Sequence, residues 1–478
     1  MLLGCSCIIV LHIPLYDERT MQIKKRDIKT FLVDQPYSSL LEMVGRRYSS
    51  KDKKLITIKN STNAKISLSL MQLHSSFEHK FARELNGLDP NDDNLRVSLI
   101  GVGALGSQVF CNCLRAGFGK WVLIDNDVIW PHNLARHILT ETSIGKNKAL
   151  ELTNYANSIF ENPDVLGIAD SIFNRNNDEM NNLLSSSKII VDISTSVAAE
   201  RVLALDIESA ARRVSVYLNP SGNFLTMLIE DNERYCSLDL LEMQTYKLLS
   251  QTKEYEDYFS VINSLAYSAS CRDITSRISQ DTIALSAAIV SKEIKALAVK
   301  NEAEIILWQV DKDTIIAQRH AAENWKKATL DGWMICISEH LLNDISSKRD
   351  KSLPNETGGV LIGHCDSLRN ILYVVDVIFS PNDSIESPNS YIRGCVDLPE
   401  KMAVIGELTH NNLYYVGEWH SHPSNNTTMS KCDSSLLDVI SYECDVECRL
   451  GCMIIVGSDK NYSIHTKRNS NYYSCKMN

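Results

Sequence analysis

Two sets of residues in this 478-residue chain have types and spacings that could do chemistry. The first is compact. His420 and His422 stand two apart ahead of Pro423, with Ser430 and Asp433 downstream and Glu356 upstream in Glu356-Thr-Gly-Gly-Val-Leu-Ile-Gly363. On an extended segment residues i and i+2 share a face, so both imidazoles can reach one ion. Pro423 ends the strand, and Ser430 to Asp433 starts a helix from which Asp433 could complete a His-His-Asp set. Three protein ligands leave a fourth position for water, the open geometry of catalytic zinc. The bland alternative is a structural histidine pair beside a helix cap, with Ser430 or Asp433 as the N-cap.

The second set is dispersed between Val97 and Lys148. Val97 to Ile100 is a short apolar run suited to a buried parallel strand, and it ends at Gly101. Gly101 permits a tight turn, Gly103 lets phosphates approach the backbone, and Gly106 lets the following helix pack on the strand. Trp121 to Ile124 reads as the second strand, ending at Asp125, where a carboxylate can accept ribose hydroxyls. Alone, this would favour a dinucleotide site. Directly downstream, however, stand Asp127, His132-Asn133-Leu-Ala-Arg136-His137 and Gly145-Lys146-Asn147-Lys148. A triphosphate, unlike a dinucleotide, needs such groups to neutralise its charge as pyrophosphate leaves.

On these residues the chain resembles the ubiquitin-activating, ThiF-type adenylyltransferases. The resemblance implies that Asp125 holds the ribose within an Asp125-Asn-Asp127 motif, and that Asn133, Arg136 and Lys148 hold the phosphates of ATP. It also implies an acidic residue near magnesium after a later strand, for which Asp192 is the candidate. The Ser194-Thr-Ser196 beyond it lacks the second Asp of many members. The set Glu356, His420, His422, Ser430 and Asp433 is similar to that of the JAMM (JAB/MPN-type) metallopeptidases. That likeness implies Glu356 as general base, Ser430 as donor to the oxyanion, and zinc on His420, His422 and Asp433.

The elements that must position these residues follow an α/β pattern. We expect a small N-terminal α/β module over residues 1–90, a Rossmann-like ThiF-type domain over 91–325, and a JAMM-type α/β metallopeptidase over 326–478. In the first module, Cys7 to Ile13 and Thr30 to Asp34 read as strands and Ser38 to Arg47 as a helix. Lys54 to Lys59 and Lys65 to Leu70 read as a second strand pair. The apolar residues 2–14 lack a preceding basic region, which disfavours a signal peptide and favours a buried strand. Arg83 is a candidate ATP contact by resemblance. Residues 230–270 have no clear sheet pattern and read as a crossover loop, and Asp311 to Lys327 as a charged connector.

Composition sets limits. Hydrophobic content of 44% and charged content of 23% are ordinary for a globular protein, and about three domains are expected from the length. The net charge of −10 speaks against a general nucleic-acid binder. No run of residues is long enough to span a bilayer. The fourteen cysteines include no Cys-x-x-Cys pair, so structural zinc is not expected, and reduced cytoplasmic thiols are the better reading. In the resembling enzymes a loop cysteine attacks the acyl-adenylate. Cys271, beside Arg272, is the candidate here, with Cys236 its rival.

The joint resemblance implies adenylation of the C-terminal glycine of a ubiquitin-like protein, followed by thioester formation, and zinc-dependent hydrolysis after that glycine, either to mature a precursor or to cut conjugates. It further implies a conjugating-enzyme-like partner, a homodimer through the activating domain, and a bacterial conjugation system of the kind that serves antiphage defence. The alternatives are sulfur-carrier activation with adduct release, and a nucleotide-gated scaffold.

Overall fold

The computed structural model describes residues 6–59, 65–73, 77–89, 94–260, 264–266, 274–276, 278–310 and 314–477. The chain divides into two compact units, Met1–Phe77 and Glu78–Asn478.

In the first unit, Cys7–Tyr16 and Ile23–Val33 form a long antiparallel hairpin, and Leu68–Met71 adds to the second strand. The expected helix is shorter, Tyr37–Met43, because Arg46 and Arg47 open the strand Arg46–Ser49. That strand pairs with Lys54–Thr57, so Lys54–Thr57 and Leu68–Met71 do not pair with each other as expected. The first strand is not buried either: Ile8, Val10, Leu11 and Leu15 are exposed. Its regularity comes from the ladder of backbone hydrogen bonds, which needs no core on either face.

The second unit holds two eight-stranded sheets. Five neighbouring strands of the first sheet are parallel, in the order Arg212–Leu218, Ile189–Asp192, Arg96–Ile100, Lys120–Ile124 and Val165–Ile168. Phe224–Ile229, Glu304–Val310 and Ile315–Ala321 extend it antiparallel. The inner parallel strands are buried on both faces, by the helices Ala104–Arg115, Lys148–Ile159 and Gln280–Ala296 on one side and by Asp178–Ser186 and Val197–Arg201 on the other. They therefore read as continuous apolar runs. Ile315–Ala321 falls in the expected connector. It is an edge strand with mostly exposed side chains, so it carries no hydrophobic alternation to announce it.

The second sheet is ordered Trp325–Leu330, Trp333–Ser338, Ile371–Phe379, Gly358–Asp366, Tyr414–Ser421, Cys452–Val456, Tyr462–Arg468 and Asn471–Met477. Glu339–Ser352, Leu398–Leu408 and Lys431–Asp445 are its helices.

The expected crossover loop contains a helix, Leu238–Gln251, and this helix joins the two sheets. Leu238, Leu240, Leu241 and Met243 share one apolar cluster with Phe224 and Leu228 of the first sheet and with Val360, Ile362, Tyr373 and Val375 of the second. Burying each such leucine contributes about 2 kcal/mol. Because the helix is covered nearly all round, its polar residues are buried as well. Asp239 accepts from the Tyr373 hydroxyl at 2.8 Å, and Lys247 pairs with Glu323 at 3.1 Å. A helix covered on every side lacks the single stripe by which a surface helix is read from sequence.

Candidate functional sites

The first site forms where the strand Arg96–Ile100 gives way to the helix Ala104–Arg115. Gly101 turns the chain at φ 81°, and a Cβ there would meet the Ser194 backbone at 2.6 Å. A Cβ on Gly106 would lie 2.2 Å from the Gly101 carbonyl, so helix and strand approach as closely as only glycine allows. At Gly103 a Cβ would meet nothing, because that side opens on a cavity of about 720 Å³.

Gly101, Gly103, Asp125, Asp127, Arg136 and Lys148 all line this cavity. Asp125 accepts from the backbone N–H groups of Val102, at 2.9 Å, and Asp127, at 2.8 Å, so it ties the glycine turn to the second strand. Burial nonetheless pushes its carboxyl above the ordinary range. Lys148 is buried and donates to Asp127 at 2.6 Å. Asn147, present in the motif but given no role there, donates to the carbonyls of Asp125 and Asp127 and caps the helix Lys148–Ile159. Arg136 donates to the Ile278 carbonyl at 2.9 Å, across the cavity wall.

Two expected phosphate-site or metal-site residues lie elsewhere. The Asn133 carboxamide accepts from the Trp130 N–H at 2.9 Å, capping the short helical turn Pro131–Ala135, and does not line the cavity. Asp192 accepts from the Ser194 N–H at 2.9 Å and lines a smaller adjoining cavity, its carboxyl pushed up to about 6 by burial. Arg83 is buried, with its guanidinium donating to the carbonyls of Asp89 and Gly117. The first bond closes the turn after its own helix and the second ties it to the turn after Ala104–Arg115, and Arg83 does not line the cavity. Cys236 sits in the shared core with its thiol pushed far up by burial, the opposite of an activated nucleophile. Cys271 lies outside the described residues.

Sequence reasoning passed over His137. Its Nε2 lies 2.8 Å from the Val102 carbonyl and its Nδ1 accepts from the Leu139 N–H at 3.1 Å, which fixes a neutral tautomer. Burial pushes its pKa down to about 4. It fastens the Asn133 to Arg136 turn against the glycine turn.

The second site lies at the end of the strand Tyr414–Ser421. His420, His422 and Asp433 offer one ligand atom each, all within 4.8 Å of one another. His420 Nε2 is 3.2 Å from Asp433 Oδ1 without the alignment of a hydrogen bond, and it is buried and unpartnered. His422 Nδ1 donates to the Asn426 carbonyl at 2.6 Å, which leaves Nε2 as a lone-pair donor, 4.0 Å from Asp433 Oδ2. An unpartnered buried imidazole nitrogen, a second oriented imidazole and a carboxylate fit a divalent ion with an open position. Burial would raise the Asp433 carboxyl, but the interactions with His420 and Ser430 outweigh it and hold the group well below the usual range.

The cap alternative is also present, and it serves the same site. Ser430 Oγ accepts from the Asp433 N–H at 3.2 Å, and Asp433 Oδ2 accepts from the Ser430 N–H at 2.7 Å. One carboxylate oxygen thereby holds the helix start while the other faces His420. Glu356 lines the same cleft of about 970 Å³. Its N–H donates to the Ser387 carbonyl at 2.8 Å, and the Thr357 hydroxyl donates to Glu386 at 2.6 Å. A hairpin of Ile385–Ser387 and Ser390–Ile392 thus braces the Glu356 backbone over the cleft. Arg349, another residue the spacing did not reveal, is buried and donates to the carbonyls of His422 at 3.0 Å and Pro423 at 2.6 Å. It holds the turn that aims the two imidazoles.

Residues 92–293 match the ThiF family, and residues 338–469 match the prokaryotic homologs of the JAB domain. The chain is a ThiF–JAB fusion. It is 32% identical over 127 residues to a protein named CD-NTase/cGAS isopeptidase from Enterobacter hormaechei subsp. hoffmannii, covering 27% of this chain and 69% of that one. It is 41% identical over 70 residues to the ATP-dependent ubiquitin transferase-like protein Cap2 of the same organism, covering 15% of this chain and only 11% of that one. The solved structure of E. coli MccB aligns at 15% identity and a TM-score of 0.37, over 51% of this chain and 67% of that one, a likeness too slight to carry an argument.

Proposed function

We propose that the ThiF–JAB fusion adenylates the C-terminal glycine of a ubiquitin-like protein with Mg-ATP, and that its JAB domain hydrolyses the bond after that glycine. The observation that carries the reading is the pairing, in one chain, of a His-His-Asp set sharing a cleft with Glu356 and a cavity lined by Asp125, Arg136 and Lys148. Asp125 suits the ribose, and Arg136 and Lys148 suit the phosphates. Lys148 would exchange its Asp127 partner for a phosphate oxygen. In the JAB cleft, His420, His422 and Asp433 would hold zinc, which supplies a polarised, acidified water when bound. Glu356, in the same cleft, would take a proton from an attacking water, and Ser430 would offer its hydroxyl to the developing oxyanion. The names of the relatives, an isopeptidase and a ubiquitin transferase-like protein, support a ubiquitin-like conjugation system. We propose in addition that this system is a bacterial one serving antiphage defence, that it works in the cytoplasm with a conjugating-enzyme-like partner, and that the activating domain forms a homodimer.

The test is exchange of labelled pyrophosphate into ATP in the presence of the ubiquitin-like protein. Arg136→Ala should abolish it, since an uncompensated phosphate charge costs several kcal/mol in a dry site. Full exchange by the variant would overturn the adenylation reading. We place the thioester on Cys271, in keeping with the burial of Cys236. Cys271→Ala should remove a reducible adduct on a non-reducing gel while leaving exchange intact, and an adduct that persists would exclude it.

A further inference from the structure

Behind the nucleotide cavity lies the smaller one, of about 200 Å³. The two share the wall formed by Thr195, Ser196, Leu218, Asn219 and Pro220. Thr195 stands in that wall at φ 58°, a conformation that β-branched residues rarely adopt and that concentrates at functional sites. The inner cavity is walled by the aromatic rings of Tyr217, Tyr246, Tyr258 and Phe259. Its charged lining is acidic, and two of those carboxylates compete for one cation.

Glu200 is 5% exposed. One of its oxygens accepts from Ser215 at 2.5 Å, and the other has no hydrogen-bond partner. The Arg201 guanidinium is 3.9 Å from that second oxygen, because it pairs closely with Glu242 instead. Glu242 also accepts from the Tyr246 hydroxyl at 2.6 Å. A single guanidinium therefore serves two buried glutamates. Burial and the neighbouring Glu242 push the Glu200 carboxyl well above its ordinary range. A cation reaching its unpartnered oxygen would relieve that imbalance. Aromatic faces beside a carboxylate are the surroundings that select an ammonium on an apolar stem.

We propose that the inner cavity binds the alkylammonium group of an acceptor amine of the lysine side-chain class, next to the acyl-adenylate, so that the amine takes the acyl group directly as an alternative to transfer through the Cys271 thioester. This rests on the adenylation reading. The ammonium gives one proton to the Glu200 carboxylate. The freed nitrogen pair forms a C–N bond to the acyl carbon, and the C–O bond to AMP breaks with its electron pair on the phosphate oxygen. The remaining extra proton leaves to solvent, so the products are an amide and AMP.

Calorimetry on the full chain tests the site with two probes, N-acetyl-lysine methylamide and its uncharged counterpart N-acetyl-norleucine methylamide. The lysine probe should bind at least about tenfold more tightly than the norleucine probe, and Glu200→Gln should remove that preference. Equal affinity for both probes, or none for either, overturns the proposal without recourse to any variant. Pyrophosphate exchange, measured separately, keeps the two readings apart. Exchange without lysine binding removes the acceptor site and leaves adenylation standing. Selective lysine binding without exchange supports the site and overturns the adenylation on which its acceptor role rests.

Discussion

The two sites of the ThiF–JAB fusion are built from different parts of the chain. In the JAB cleft the working groups are side chains, and three of them already converge within 4.8 Å. In the nucleotide cavity backbone and side chains share the surface: a glycine turn, a carboxylate bonded to two backbone donors, and the side chains of Arg136 and Lys148. Its one buried lysine is paired with Asp127 rather than left open. A constellation of side chains stands ready for its ion, whereas the mixed cradle must exchange internal partners for the ligand's.

That contrast can be sharpened first at Glu356. If the JAB site is preassembled, Glu356→Gln should retain the metal and lose about 10²–10⁴ in turnover, as expected for removal of a general base. Metal analysis beside a cleavage assay decides it, and loss of the metal with the activity would make Glu356 part of the metal's support.

The nucleotide cradle should respond to pH through His137. Its folded pKa of about 4 lies below the ordinary 6.5, so the unfolded chain takes up a proton that the folded chain refuses. Its contribution is therefore fully present above pH 6.5, is lost as pH falls towards 4, and flattens below that. The size is about 3 kcal/mol. Denaturant melts between about pH 7 and 4.5 should show a shallower slope for His137→Gln, and an unchanged slope would remove His137 from the account.

The smallest effect concerns what aims the imidazoles. Arg349→Met should weaken zinc binding by about 10–100-fold, the usual consequence of losing an outer partner of a metal site. A competition titration with a chelator measures it. Wild-type affinity in the variant would mean that the His422-Pro423 turn holds its shape unaided.

The same contrast explains what could be read from the sequence. His420, His422, Ser430 and Asp433 fall within fourteen residues, so their spacing at one strand end and one helix start fixes their meeting. Gly101 and Gly106 were legible because close packing and the tight turn leave few residue types possible. The cap made by Asn133 was not, because an asparagine serves equally well as a phosphate donor or as a cap. Arg349, Glu386 and His137 escaped notice for a related reason. Each acts through backbone groups or partners far along the chain, and such contacts leave no spacing to see. The helix Leu238–Gln251 was hidden by its own burial on all sides.

The central claim of the proposed function is that both sites act on one C-terminus, and precursor maturation is the form of it in which the JAB domain works first. It is tested most directly by pyrophosphate exchange with a ubiquitin-like protein from the same genome, supplied either ending in its glycine or extended past it. The wild-type chain should exchange with both forms, because its JAB domain trims the extended one, while Glu356→Gln should exchange only with the form that ends in glycine. Equal exchange by Glu356→Gln with the extended form, or exchange by the wild type with neither, would contradict the account.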